Sequence, residues 1–320
     1  MNGGTNMKKI LSLVIAMVLA LGCTAALADL QFGTGGESGT YYGYGTVLAQ
    51  YISDNTDVKI TVVSSGGSTA NIDDLEADTR QLGFVQNDVA YYAVNGVRLF
   101  DGAPVENFSA LAALYIEAVQ VVTNNPDIKS IEDLKGKNVS IGAAGSGVYF
   151  NAIDFLQVYG LTEDDISAQY LNFQETCDAL KDGKIDAGFI VAGAPTPAIT
   201  ELCTTQGARL LSLDADHIAA LQDISAAYAE TTIPAGTYDG IDEDVTTVGM
   251  KATIVANDSV TEDEAYTIVK TIFEGKDEIT EGHAKGAELD LEFASTCGIP
   301  YNAGAARYFA EQGIEVETAE

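Results

Sequence analysis

Apolar runs and glycine-rich turns alternate along this chain in a strand–helix rhythm, and that rhythm constrains the fold more than any other feature. Residues 30–34 read as a strand, followed by a glycine-rich turn and a helix over about 45–53. A β-branched strand at 58–63 leads to a helix capped by Ser68 and running to 77, then to an apolar strand at 82–85. A helix over 88–94 stops near Gly96. After the turn at 133–137 the rhythm resumes with a strand at 139–143. A helix over 147–159 follows, with Val148, Ala152, Phe155, Leu156 and Tyr159 on one face and Gly160 as its stop. Next come a helix at 174–180, a strand at 185–191, a helix opened by Thr196-Pro197 and closed by Gly207, and a strand at 209–213. Such order predicts an α/β protein with largely parallel sheets covered by helices on both faces.

Two runs break the rhythm. Residues 109–125 and 246–256 are apolar and longer than one ordinary strand. They read as two crossings between domains, the first out and the second back. Thr261 and Glu264 form a capping box for a helix ending at Gly275, and a last helix covers 305–312. No repeat or flexible linker separates these parts. The reading is therefore a hinged pair of domains, 29–117 with 246–320 and 118–245 between them, enclosing a cleft.

The N-terminus reads as an export signal. Lys8 and Lys9 precede an uncharged stretch whose apolar core, 10–21, is too short to span a bilayer, and small residues follow. Met7 is an alternative start. Ala26-Leu27-Ala28 predicts cleavage before Asp29; alternatively, the Cys23 of Ala20-Leu21-Gly22-Cys23 carries a lipid. Removing residues 1–28 takes away two lysines and moves the net charge from −31 to −33. So acidic a chain is a poor partner for nucleic acid or anionic membranes. About 290 mature residues suit two domains. Cys177, Cys203 and Cys297 match no zinc spacing. They read as buried thiols, with a Cys177–Cys203 bridge as the alternative.

Four clusters follow expected strands, so all line one carboxyl edge, where open α/β sheets bind ligands. Gly33-Thr34-Gly35-Gly36-Glu37-Ser38-Gly39-Thr40-Tyr41-Tyr42 and Gly142-Ala143-Ala144-Gly145-Ser146-Gly147 each sit before a helix. Glycines there bring backbone N–H groups close to a ligand, and helix starts favour an anion. Neither holds Arg or Lys, so a bound carboxylate would rest on neutral donors and helix dipoles. Residues 64–71 (Ser-Ser-Gly-Gly-Ser-Thr-Ala-Asn) and Gln86-Asn87-Asp88 complete the edge, with helix capping as the plainer role for Ser68 and Asp88. Glu117 is the one acid in the apolar run 110–122. It sits either at an exposed turn or facing the cleft, where it could pair with a ligand ammonium; buried without a partner it is costly. Catalytic signals are absent: the two histidines, His217 and His283, lie in polar helical surroundings, and no nucleophile elbow or metal motif occurs. A carboxylate-only hydrolase has no singled-out acid pair among the 47 acids.

At these residues the sequence resembles the TAXI-type extracytoplasmic solute receptors of TRAP transporters. The matching segments are GTGGESGTYYGYG at 33–45, SSGGSTANI at 64–72, GFVQNDVAYYA at 83–93 and LYIEAVQVV at 114–122. DLKGKNVSIGAAGSG at 133–147, DGKIDAGFIVAGAPTPAI at 182–199 and IPYNAGAARYFAEQG at 299–313 complete the series. The resemblance implies a type II periplasmic-binding-protein fold, two doubly wound domains closing on a glutamate-like amino acid or dicarboxylate. It further implies a monomer without cofactor or metal, serving an ion-driven membrane permease rather than catalysing a reaction. Matched by motif, ligand contact falls on Gly35, Gly36, Tyr41, Ser68, Asn71 and Gln86 in the first domain. It also falls on Asp88, Glu117, Gly145, Ser146, Gly147 and Gly193. Gly43 replaces the family's usual proline, and Asn302 its usual histidine. A type II receptor for an ABC transporter, carrying a pyrimidine or sulfonate, is the competing reading.

Overall fold

The computed structural model describes residues 29–319, so the export segment and Cys23 lie outside the described residues. The chain opens with β1 (Asp29–Gly33), α1 (Thr40–Asn55), β2 (Lys59–Val63), α2 (Ser68–Glu76), β3 (Leu82–Gln86) and α3 (Asn87–Asn95). It crosses over along β4 (Phe108–Thr123). The second lobe holds β5 (Asn138–Ser140), α4 (Val148–Val158), β6 (Ser167–Gln169), α5 (Phe173–Lys181) and β7 (Ala187–Ala192). It continues through α6 (Pro197–Gln206), β8 (Arg209–Leu210), α7 (Ala215–Ile224) and β9 (Ala229–Ile233). The chain returns on β10 (Val245–Asn257) to α8 (Glu262–Glu274), α9 (Lys276–Gly282), α10 (Leu291–Ala294) and α11 (Ala303–Glu311).

The sheet order is β2-β1-β3-β10-β4-β7-β5-β6. The short strands pair in parallel within each lobe, β1 with β2 and β3, β5 with β6 and β7. The two long strands instead run antiparallel to each other and to their short neighbours. The expected parallel sheets are thus joined by an antiparallel pair. Register shifts between Ala252 and Thr253 and between Ile254 and Val255 bend that pair.

Packing splits along these crossings. Phe32, Phe84 and Tyr115 belong to one apolar core with Ala252, Ile268 and Phe309. Val119, Phe155, Phe189, Val248 and Met250 belong to another. A third cluster, around Ile190, Leu202 and Tyr238, covers the second lobe's other face. The side chains change lobe between Tyr115 and Ala118 on β4 and between Met250 and Ala252 on β10.

Several elements depart from the sequence reading. Helix α1 starts at Thr40, not near 45. Gly43 and Gly45 lower the intrinsic helix propensity there, but burial of Tyr44, Leu48 and Ile52 outweighs it. Ser68 is the first residue of α2 rather than its cap. Gly67, at φ +111°, takes the cap position, and the Ser68 hydroxyl accepts the Gln86 N–H at 3.1 Å. Thr196 precedes Pro197 as expected, yet its hydroxyl donates to the Gly193 carbonyl (3.1 Å) instead of capping α6. The capping box of Thr261 and Glu264 forms. Cys177, Cys203 and Cys297 are free and buried.

Candidate functional site

Three helices start at one place between the lobes, and each starts on glycine. Gly39 precedes α1, Gly67 precedes α2 and Gly147 precedes α4, and none of the three has a side-chain cap. Five other α-helices are capped by side chains, Asn172, Asp214, Thr261, Asp290 and Asn302 each accepting a first-turn N–H, whereas α3, α6 and α9 also start without one. First-turn N–H groups have no acceptor inside their own helix. An uncapped start therefore presents first-turn donors and the positive end of the helix dipole, although in α2 the Ala70 N–H is already taken by the Gly145 carbonyl at 2.9 Å.

These starts enclose a cleft of about 210 Å³. Gly35, Gly36, Thr40 and Tyr41 line it from the turn after β1, and Ser65, Gly66, Gly67 and Ser68 from the turn after β2. Gln86 closes one end, Ala143, Ser146 and Gly147 form the opposing wall, and Asn172 and Phe173 add to it. The hydroxyls of Ser146 and Tyr115 are buried without a hydrogen-bond partner. Unmet buried hydroxyls at a cleft are places where a ligand completes the bonding.

Strand alternation places Tyr115 and Glu117 on the same face of β4, toward the cleft. Glu117 is 2% exposed and accepts the Tyr41 hydroxyl at 2.5 Å. Burial pushes its carboxyl well above the usual range, against the lowering effect of the Tyr41 bond. Tyr41 stacks on Phe84 with ring centroids 4.7 Å apart, which fixes the phenol that holds Glu117. No Arg or Lys lines the cleft. Lys285 does not line the cleft, but its ammonium lies 5.4 Å from the Tyr115 ring, pairs with Glu288 at 2.5 Å and acts from a distance to lower the Glu117 carboxyl, a smaller effect than the burial that raises it.

Four residues matched by motif lie off the cleft lining. Asn71 is a scaffold: its amide donates to the carbonyls of Gly33 (3.2 Å), Thr34 (2.7 Å) and Phe84 (2.7 Å), tying β1 to β3 beneath the cleft. Asp88 is buried behind Gln86, where it accepts the Val89 N–H (2.8 Å) and the Asn151 amide (3.0 Å). That burial raises its carboxyl to about 6. Gly145 turns its carbonyl to the Ala70 N–H at 2.9 Å, and Gly193 accepts the Thr40 hydroxyl at 3.0 Å; both bonds join the lobes. Asn302 caps α11 through the Gly304 N–H (2.9 Å) and does not line the cleft, so this departure from the family pattern is not a change in the cleft wall. A methyl at Gly43 would meet the His283 ring at 3.7 Å, within ordinary contact.

Thr40, a hydroxyl of the first glycine-rich cluster, lines the cleft, whereas the sequence reading missed Tyr115, Asn172 and Phe173. Tyr115 had a signal, because it stands two residues before Glu117 on a strand. Asn172 also had one, as the first member of a capping box with Glu175. Nothing local marked the cap's neighbour Phe173 as cleft wall. Among the described residues, no group of three or more His, Cys, Asp or Glu is arranged to hold a metal ion, and no helix is long and apolar enough to cross a membrane.

A model of the NMT1-like family matches residues 32–313, most of the chain. The chain belongs to the NMT1-like family. Solved structures of similar fold include the alkanesulfonate-binding protein SsuA from Xanthomonas axonopodis pv. citri bound to MOPS. It is 17% identical, with 90% of this chain and 85% of that one covered at a TM-score of 0.51. An ancestral arginine-binding protein bound to arginine is also 17% identical, covering 79% and 96% at 0.51. The GluR0 ligand-binding core in complex with L-glutamate is 11% identical, covering 82% and 99%, again at 0.51. At these identities the likeness is one of fold. This NMT1-like chain has the two-lobed α/β architecture of the periplasmic binding proteins.

Proposed function

We propose that this protein is an exported solute receptor that holds a small α-amino acid between its lobes and passes it to the membrane component of a TRAP transporter. One observation carries the reading. Three uncapped helix starts and an unpartnered Ser146 hydroxyl converge on a cleft whose one charged side chain is an acid, Glu117. The helix starts suit a carboxylate. Glu117 suits an ammonium group, which would restore the charge that burial disfavours. Together they favour a zwitterion over a dicarboxylate, whose second anion meets no cation in the cleft wall. The ordered TAXI-like segments support the TRAP subtype, and the export segment at 1–28 supports a site of action outside the cytoplasm. We take 29–117 with 246–320 as one domain, 118–245 as the other, and the crossings of β4 and β10 as the pivot. The receptor acts as a monomer and needs no cofactor.

Calorimetry of the purified protein against L-glutamate, L-glutamine, 2-oxoglutarate and an alkanesulfonate tests this. Heat from an amino acid and none from 2-oxoglutarate is expected. Silence from every amino acid, or tight binding of the sulfonate alone, would sink it; the latter outcome would move the protein to the ABC class. A large multi-spanning permease encoded beside the gene, rather than an ATPase, separates the two transporter types.

Two further results follow for an amino acid that binds. Ser146→Ala removes one neutral donor, so affinity should fall by about 1–2 kcal/mol, roughly 5- to 30-fold. Binding should change little between low and high salt, because the ligand carboxylate makes no ion pair with Arg or Lys. A steep fall of affinity with salt would contradict the neutral-donor site.

A further inference from the structure

Behind Gln86, away from the cleft, a buried polar chain passes between the lobes three times. The Gln86 amide donates to Asn151 Oδ1 at 2.8 Å. The Asn151 amide donates in turn to Asp88 Oδ2 and to the Tyr228 hydroxyl, each at 3.0 Å. Tyr228 then donates to Asp154 Oδ2 at 2.9 Å. Arg98 reaches Asp154 from the first lobe through two bonds, 2.9 and 3.1 Å. Asn151, Asp154 and Asp88 are 0%, 0% and 1% exposed. Gln86, Asp88 and Arg98 belong to the first lobe, and Asn151, Asp154 and Tyr228 to the second. Every crossing bond exists only while the lobes touch.

We propose that Asn151 is a closing latch, a positioning residue that holds the lobes together around the cleft, with the Arg98–Asp154 ion pair as its second arm. Two features beyond the bonds support this. Arg98 adopts φ +58°, a left-handed conformation unfavourable for a residue with a side chain, and it is held there while its guanidinium spans to α4. At Gly147 a methyl group would lie 1.7 Å from Gln86 Oε1, so the absence of a side chain lets α4 approach. The latch reaches the site only through Gln86, which lines the cleft. Because the Gln86 amide nitrogen is engaged by Asn151, its carbonyl oxygen is turned toward Ser68 Oγ, 3.5 Å away at the cleft edge. Asn151 thereby orients a cleft-lining group without touching the cleft. Its bearing on solute capture rests on the receptor reading above, but its action on closure does not.

The test is read without any ligand. The Ala70 N–H is bonded to Gly145 of the opposite lobe, so its hydrogen exchange reports closure directly. Asn151→Asp is nearly isosteric but sets a second carboxylate against Asp88. At about pH 8 a solvated carboxyl is ionised, whereas the closed lobes would hold two facing carboxyls that either repel or must take up a proton, so the variant should speed exchange at Ala70 at least about tenfold and expand the solution-scattering envelope. Adding Asp88→Asn should restore most of both, since an amide then faces a carboxylate again, while the Tyr228 hydroxyl, which donates to Asp154, goes without the donor that Asn151 gave it. A packing role for Asn151 predicts neither the opening nor the rescue. Unchanged exchange in Asn151→Asp, or failure of Asp88→Asn to restore it, would overturn the latch. If Asn151→Asp does not fold, Arg98→Ala, on the more exposed arm, must accelerate the same amide, and no acceleration overturns the proposal. Because no solute is present, opening in a protein that binds no amino acid leaves the latch standing and removes the receptor reading alone.

Discussion

Glu117→Gln is expected to weaken amino-acid binding by about 100-fold. The buried carboxylate is the cleft's one counter-ion for an ammonium group, and losing one partner of a desolvated pair costs about 2–5 kcal/mol. Glutamine keeps the shape and still accepts the Tyr41 hydroxyl that bonds Glu117 at 2.5 Å. Only the charge is removed. The pH dependence has a definite sign. In the free cleft, burial holds the Glu117 carboxyl well above its ordinary range. A bound ammonium favours the ionised form and lowers that value, so binding releases a proton. Affinity therefore rises with pH, by at most about tenfold per unit, until the pH exceeds the raised value of the free cleft. Glu117→Gln should lose that slope as well as the affinity. Titration calorimetry at several pH values measures both. If the substitution leaves affinity unchanged, Glu117 is acting as a protonated donor, and the ammonium assignment fails.

Asn71→Leu should lower stability by about 3 kcal/mol, seen as a fall in Tm on the order of 5–10 °C. The substitution preserves volume but strips a donor from the carbonyls of Gly33, Thr34 and Phe84 in a fully buried site. Each buried carbonyl left unmet costs roughly 1–3 kcal/mol, partly offset by the added apolar contact. The effect lies on folding rather than on contact with a solute. A thermal melt followed by circular dichroism checks it, and a loss below about 1 kcal/mol would show that the three carbonyls find other donors.

Much of this site was legible because glycine-rich turns and strand alternation are local. The turns at Gly35-Gly36 and Ser146-Gly147 and the lone acid Glu117 all line the cleft. They could be placed because each follows or sits within a strand, and strands present their ends to one sheet edge. Asn71 and Asp88 show where that logic stops. Both follow strands in the same way, yet Asn71 ties carbonyls beneath the cleft and Asp88 faces the other lobe. A polar residue after a strand can point to solute, scaffold or neighbour, and its own segment carries no signal to choose. Helix α1 shows a second limit. Glycines at 43 and 45 argued for a later start, and burial of Tyr44 and Ile52 in a core shared with Phe84 overrode them.

The residue order by itself determined the strand–helix rhythm, the two long crossings, the glycine-rich helix starts and the absence of a cation in those loops. These depend on periodicity and turn chemistry within short windows, where each residue's neighbours are already known. Tertiary structure alone decided that three helix starts meet at one cleft. It also decided that Glu117 meets Tyr41, and that Gln86 and Asp88 meet Asn151, 65 and 63 residues further along the chain. Those bonds are set by which surfaces pack together, and a hydrogen bond between distant segments is specified by about an ångström of separation that no local pattern encodes.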